Sequence, residues 1–145
     1  MSFESNMMSK GLLSILGGTL TGLISLFGFF NLGLVLFPIP SFLDHPSTIK
    51  EIDMLVHCCA PMNAFLFVLL SAFVSSLLAG MVIASIDREK GFKSGIVVGG
   101  FFTTIGLALV ITISHPLWFT IVSVLMYVPS LLLGVFMAKR FIYKT

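Results

Sequence analysis

The stretch MNAFLFVLLSAFVSSLLAGMVIASI, residues 62–86, contains no Asp, Glu, Lys, Arg or His. An α-helix rises about 1.5 Å per residue, so about 20 residues are enough to cross the roughly 30 Å hydrocarbon core of a bilayer. The apolar run is continuous and does not alternate with polar residues, which favours a helix over a strand of a membrane barrel. We therefore predict that this stretch is a transmembrane helix.

Three further segments are free of charged residues and histidine in the same way: residues 11–37, 94–113 and 117–138. The first is too long for the apolar core of a signal peptide, so we interpret it as an uncleaved first span. The Ser-His-Pro turn at residues 114–116 is so short that the third and fourth helices are expected to be antiparallel neighbours. The sequence thus predicts four spans.

The composition of the whole chain agrees with a membrane environment. Apolar residues make up 57% of the sequence and charged residues 10%, whereas a soluble domain carries roughly 25% charged residues. We predict an all-α integral membrane protein in which residues 1–145 form one domain, a bundle of four transmembrane helices. The net charge is +2 and no basic run occurs, so the lipid bilayer is an expected partner and nucleic acid is not.

The distribution of Lys and Arg predicts how the chain is oriented. Cytoplasmic loops are enriched in these residues, and Lys50 is the only one of the eight in the predicted outer loop, residues 38–61. Both termini are therefore expected in the cytoplasm. Apolar residues at helical spacing also predict a short amphipathic helix in that loop, at about residues 47–59. The seven basic residues on the cytoplasmic side are Lys10, Arg88, Lys90, Lys93, Lys139, Arg140 and Lys144.

Small residues recur at helical spacing in two spans. Gly91, Gly95 and Gly99 follow one another every fourth residue around the start of the third helix, and Gly18 and Gly22 do so on the first. Such stripes let helix backbones approach closely in a membrane. Two interpretations remain open: packing between helices of one chain, and contact with another subunit.

Polar side chains inside the spans also have two interpretations. Asn31, Tyr127 and Ser130 could line a path for an uncharged or weakly charged solute, or such groups could bond to their own or neighbouring helices. The spans contain no charged residue. This argues against a proton-coupled carrier, an ion pump or a voltage sensor, which depend on charges within the membrane.

Residues with ligand chemistry collect in the predicted outer region, where His57, Cys58 and His115 are the candidates for binding zinc or copper. Their spacing matches no compact metal motif, so structural or interfacial roles are the preferred interpretation, and no cofactor is expected. The sequence has no nucleophile paired with a base at credible spacing and no phosphate-binding glycine loop. We therefore do not expect an enzyme.

Three motifs together resemble a family of small, uncharacterised bacterial four-helix membrane proteins. They are Leu36-Phe-Pro-Ile-Pro40, Pro61-x-x-Ala64-Phe65-x-x-Val68-Leu69, and His115-Pro-Leu-Trp118 with Pro129 and Gly134 after it. The resemblance implies the four-helix topology and a bacterial inner membrane, but no activity.

The function expected from these observations is that of a non-enzymatic membrane protein, an accessory or structural subunit of a larger assembly. Its expected partners are other membrane subunits or further copies of the chain. A small channel or carrier for an uncharged or weakly charged solute is the alternative.

Overall fold

The computed structural model describes residues 2–37, 48, 50–51, 61–113 and 115–141. Within them the chain is helical, with no strand, and each helix includes a segment long and apolar enough to cross a membrane. This confirms the prediction of an all-α chain with four such helices. They are α1 Ser2–Leu36, α2 Met62–Ile86, α3 Gly91–Thr112 and α4 Leu117–Phe141.

Three helices are longer than the predicted spans, because they continue into the polar residues that flank the apolar segments. α1 begins well before residue 11, and α4 continues beyond residue 138 to Phe141. α3 begins at Gly91 instead of residue 94. Its start is stabilised by Asp87, whose Oδ1 accepts the backbone N–H of Lys90 at 3.0 Å and so satisfies a donor at the helix start.

The predicted amphipathic helix at residues 47–59 is not evident, and most of it lies outside the described residues. Of that segment the structure describes Thr48, Lys50 and Glu51. The N–H of Glu51 donates to the Thr48 carbonyl at 3.1 Å, and the N–H of Thr48 donates to Glu51 Oε2 at 3.2 Å. The first bond is a backbone turn, and the second, from Thr48 N–H to the Glu51 carboxylate, is one half of a capping box. The helix itself stays a prediction.

The four helices form a bundle in which α1 and α4 occupy opposite corners. α2 packs most extensively on α4 and on α1, and α3 packs mainly on α4. The connections after α2 and after α3 are short, so successive helices run antiparallel and α2 runs parallel to α4. The completely buried side chains of Ile83, Leu131 and Val135 form the centre of the core.

The α2–α4 interface brings two backbones into direct contact. A Cβ atom on Gly80 would overlap the carbonyl oxygen of Leu131, and one on Gly134 would overlap the carbonyl oxygen of Leu77. Small buried residues continue this contact at four-residue spacing along both helices, so the two helices approach through backbone atoms. The additional small residues are Ala72, Ser76 and Ala84 on α2, and Ser130 and Ala138 on α4.

Candidate functional site

The two predicted glycines of α1 lie against the neighbouring helices of the same chain. A Cβ on Gly18 would overlap Cγ1 of Ile83 on α2, and a Cβ on Gly22 would lie 2.6 Å from Cζ of Phe102 on α3. One turn away, the Ser14 hydroxyl donates to the Gly11 carbonyl at 2.8 Å and lies 3.2 Å from the Ser94 hydroxyl, a hydrogen-bonding contact that joins α1 to α3. The small-residue stripe of α1 is therefore covered by α2 and α3 of the same chain.

The three glycines of α3 lie at the contact with α4. A Cβ on Gly91 would lie 3.5 Å from Cγ1 of Val135, and a Cβ on Gly95 would lie 3.4 Å from Cγ2 of the same residue. A Cβ on Gly99 would lie 3.2 Å from Cα of Val128. All five glycines from the two stripes thus meet helices of their own chain, which leaves neither stripe open to a second subunit.

The three residues considered for a solute path are not brought together. Asn31 lies on the exposed face of α1, and its Nδ2 donates to the carbonyl of Phe27 at 2.8 Å. Ser130 is buried in α4 and donates to the carbonyl of Met126 at 2.6 Å. Tyr127 is partly buried and packs against the core. Since α1 and α4 occupy opposite corners, Asn31 is separated from the other two residues by the body of the bundle.

Aromatic rings fill the interior at the level of Tyr127. Its ring centroid lies 6.4 Å from that of Phe102, which is itself buried. A Cβ on Gly106 would lie 2.7 Å from the Tyr127 ring, so the glycine makes room for the phenol. The contact of Gly22 with Phe102 closes the α1 side of the same layer. These side chains fill the space between α1, α3 and α4 at the middle of the bundle.

A shallow apolar groove runs between α1 and α2, with a volume of about 60 Å³. Pockets for drug-sized ligands have volumes of roughly 300–1,000 Å³. The hydroxyl of Ser71 faces the groove, but its hydrogen is donated to the carbonyl of Phe67. The groove is thus small and offers little to a polar ligand. Its other lining residues are Leu26, Phe29, Phe30, Gly33, Phe67 and Val68.

His115 belongs to an aromatic cluster, which we define as Phe65, His115, Trp118 and Phe119. The imidazole stacks on Phe119 with centroids 5.1 Å apart, and Phe65 meets Phe119 edge-on at 5.2 Å. His115 Nδ1 lies 2.6 Å from the carbonyl oxygen of Ile113. Because that oxygen can only accept, Nδ1 carries the proton. The cluster therefore joins the turn before α4 to the start of α2.

The described residues contain no group of three or more His, Cys, Asp or Glu side chains that could hold a metal ion. His57 and Cys58 lie outside those residues. His115 contributes its Nδ1 to a backbone carbonyl and its ring to the aromatic cluster, so this histidine has a structural role at the turn.

We predict that Phe65→Ala lowers the free energy of unfolding by about 1–3 kcal/mol, because aromatic pairs contribute about 0.5–1.5 kcal/mol each and Phe65 makes three such contacts. The measurement is a titration from mild detergent into SDS. Leu66→Ala is the matched control, since Leu66 is exposed. An equal loss in both variants would contradict a role for the cluster.

The outward face of α1 carries one exposed polar side chain between residues 12 and 36, that of Asn31. Only 6% of the apolar window of α1 is buried, against 44% in α2. Asn31 lies on this face, and a Cβ on Gly28 would meet nothing within 4 Å. Sequence reasoning identified Asn31 as polar but missed its outward direction and the open surface at Gly28. We call Gly28 and Asn31 the open face of α1.

Comparisons with protein-family models, with curated proteins and with solved structures each found no match. The geometry of the described residues defines the class: a bundle of four helices with long uncharged apolar segments, packed in its middle by Phe102 and Tyr127, with exposed carboxamides at Asn31 on α1 and Asn63 at the start of α2.

Proposed function

We propose that this chain is an integral membrane protein with both termini in the cytoplasm, and that it serves as a non-enzymatic accessory or structural subunit of a larger membrane assembly. The observation that carries the proposal is the open face of α1. The orientation is supported by the basic residues, of which Lys50 alone falls on the other side.

A carboxamide on the outside of a bundle is costly in lipid. Asn31 makes one hydrogen bond, to the carbonyl of Phe27 on its own helix, and an amide has further donor and acceptor capacity. Hydrocarbon offers no hydrogen-bonding groups to satisfy it. Polar residues in membrane spans usually face protein for this reason. A neighbouring subunit that covers Asn31 would remove the cost.

The closed interior supports an assembly role over a solute path through the bundle. The α2–α4 contact leaves no space between the backbones at Gly80 and Gly134. Phe102 and Tyr127 fill the adjacent layer. The polar groups of Ser123 and Ser130 are satisfied by carbonyls of their own helix, so they present no free hydroxyl hydrogen to a solute.

Cross-linking in native membranes before solubilisation tests the proposal. After cross-linking, a tagged chain is expected to run above the mass of the tagged monomer, which is 15.8 kDa plus the tag, and to elute in mild detergent as an assembly of defined stoichiometry. Leu125→Ala serves as the control, because Leu125 is an exposed apolar residue on α4 and should leave the assembly unchanged. A monodisperse monomer both before and after cross-linking would end the proposal.

A further inference from the structure

We infer that the open face of α1 docks a second copy of this chain, with α1 packed on α1 about a two-fold axis and Asn31 bonded to Asn31. This inference rests on the proposed function, because it requires that the face lie in a bilayer. It adds the identity of the partner and the atoms that recognise it.

Hydrogen-bond capacity points to a second copy. The amide of Asn31 has two N–H groups, of which one donates to the Phe27 carbonyl. The other N–H and the Oδ1 lone pairs remain, and the described residues provide no second partner for them. A two-fold axis places the same patch on both partners. Each Asn31 can then donate its second N–H to Oδ1 of the other, so one residue supplies both halves of the interaction.

Gly28 allows the necessary approach. It lies three residues before Asn31, so the two positions share one face of the helix. Nothing lies within 4 Å of where its Cβ would be. A second α1 can therefore approach the backbone there. Parallel packing about an axis along the membrane normal keeps the termini of both copies on the same side, as the charge distribution requires.

α3 provides an internal comparison, because it has an open glycine without a self-complementary side chain. Gly100 also has nothing within 4 Å of a built Cβ, and Thr104 is exposed one turn later. The single hydroxyl hydrogen of Thr104 is donated to the Gly100 carbonyl at 2.9 Å. Two copies of Thr104 would face each other with acceptors alone. Of these two faces with an open glycine, only that of α1 can therefore pair with itself through a side chain.

Cysteine cross-linking distinguishes the two faces. In a background with Cys58→Ser and Cys59→Ser, Gly28→Cys and Gly100→Cys are each oxidised with copper phenanthroline in membranes. Both substitutions enter open space, so neither should disturb the bundle. Gly28→Cys is expected to give a disulfide dimer at twice the monomer mass, and Gly100→Cys to stay monomeric. Absence of the Gly28→Cys dimer, or equal yields from both variants, would overturn the inference.

The substitution Asn31→Leu tests whether the two Asn31 amides bond to each other in the dimer. Losing a reciprocal pair of interhelical hydrogen bonds of average strength should raise the dimer dissociation constant about tenfold. Thr104→Val should leave it unchanged. The readout is energy transfer between labelled copies diluted in lipid. Unaltered dimerisation of Asn31→Leu would overturn the amide pairing.

The outcomes also separate this inference from the proposed function. Larger cross-linked species in native membranes without a Gly28→Cys homodimer would mean that the assembly forms without contact between two α1 helices. The second-copy inference would then fail while the subunit role stood. A monomer in every assay would end both.

Discussion

Gly134→Ala is expected to lower the free energy of unfolding by about 3 kcal/mol, at the upper end of the usual cost of overpacking. The added methyl would overlap the carbonyl oxygen of Leu77, which is a backbone atom of α2. No rotamer change can move a backbone carbonyl, so the two helices must separate and lose contacts along their whole interface. Gly80→Ala should have a similar effect, because its methyl would overlap the Leu131 carbonyl. Titration from mild detergent into SDS measures both.

Gly100→Ala is the matched control for these two variants. It also places a methyl on a glycine in the middle of a helix, but nothing lies within 4 Å of the new atom. Since Ala favours a helix by about 1 kcal/mol over Gly, stability should stay the same or rise slightly. Equal destabilisation of Gly134→Ala and Gly100→Ala would show that the close α2–α4 contact does not hold.

Gly22→Ala is expected to cost about 1–2 kcal/mol, and a second substitution should relieve most of that loss. The methyl would lie 2.6 Å from Cζ and 2.8 Å from Cε2 of Phe102. The obstacle here is the far end of a side chain, unlike the carbonyls beside Gly80 and Gly134. In a Phe102→Leu background, Gly22→Ala should therefore cost less than about 0.5 kcal/mol.

A double-mutant cycle on unfolding free energies measures this coupling between α1 and α3. Leu20→Ala in the same two backgrounds is the control, since Leu20 is exposed and should show no coupling to residue 102. Additive effects of Gly22→Ala and Phe102→Leu would contradict the docking of α1 on α3 at this position.

The four helices could be predicted because each is a long run without charge, and a turn with Asp87 or His115 separates the last three. The glycine repeats of α1 and α3 were also visible as spacing. The contact at Gly80 and Gly134 was not, because each is a single glycine continued by Ala and Ser. Those residues become a stripe only once α2 and α4 are known to be neighbours.

The outward direction of Asn31 could not be predicted either, for a physical reason. A soluble helix shows its buried face by the contrast between apolar and polar sides. A span that is apolar all round has no such contrast, so residue type alone does not tell which side faces protein. Burial of α1 against Ile83 and Phe102 had to be seen before Asn31 could be placed on the opposite side.

The close contact between α2 and α4 has a consequence for the order in which the bundle assembles during synthesis. A chain emerges from its N-terminus, so α2 is made while its most extensive partner is still to come. Until α4 emerges, the small-residue surface of α2 around Gly80 has no helix packed against it. A chain that ends before Leu131 is therefore expected to lack the three core side chains of α4, Leu131, Val135 and Ala138. The last segment to be synthesised completes the bundle.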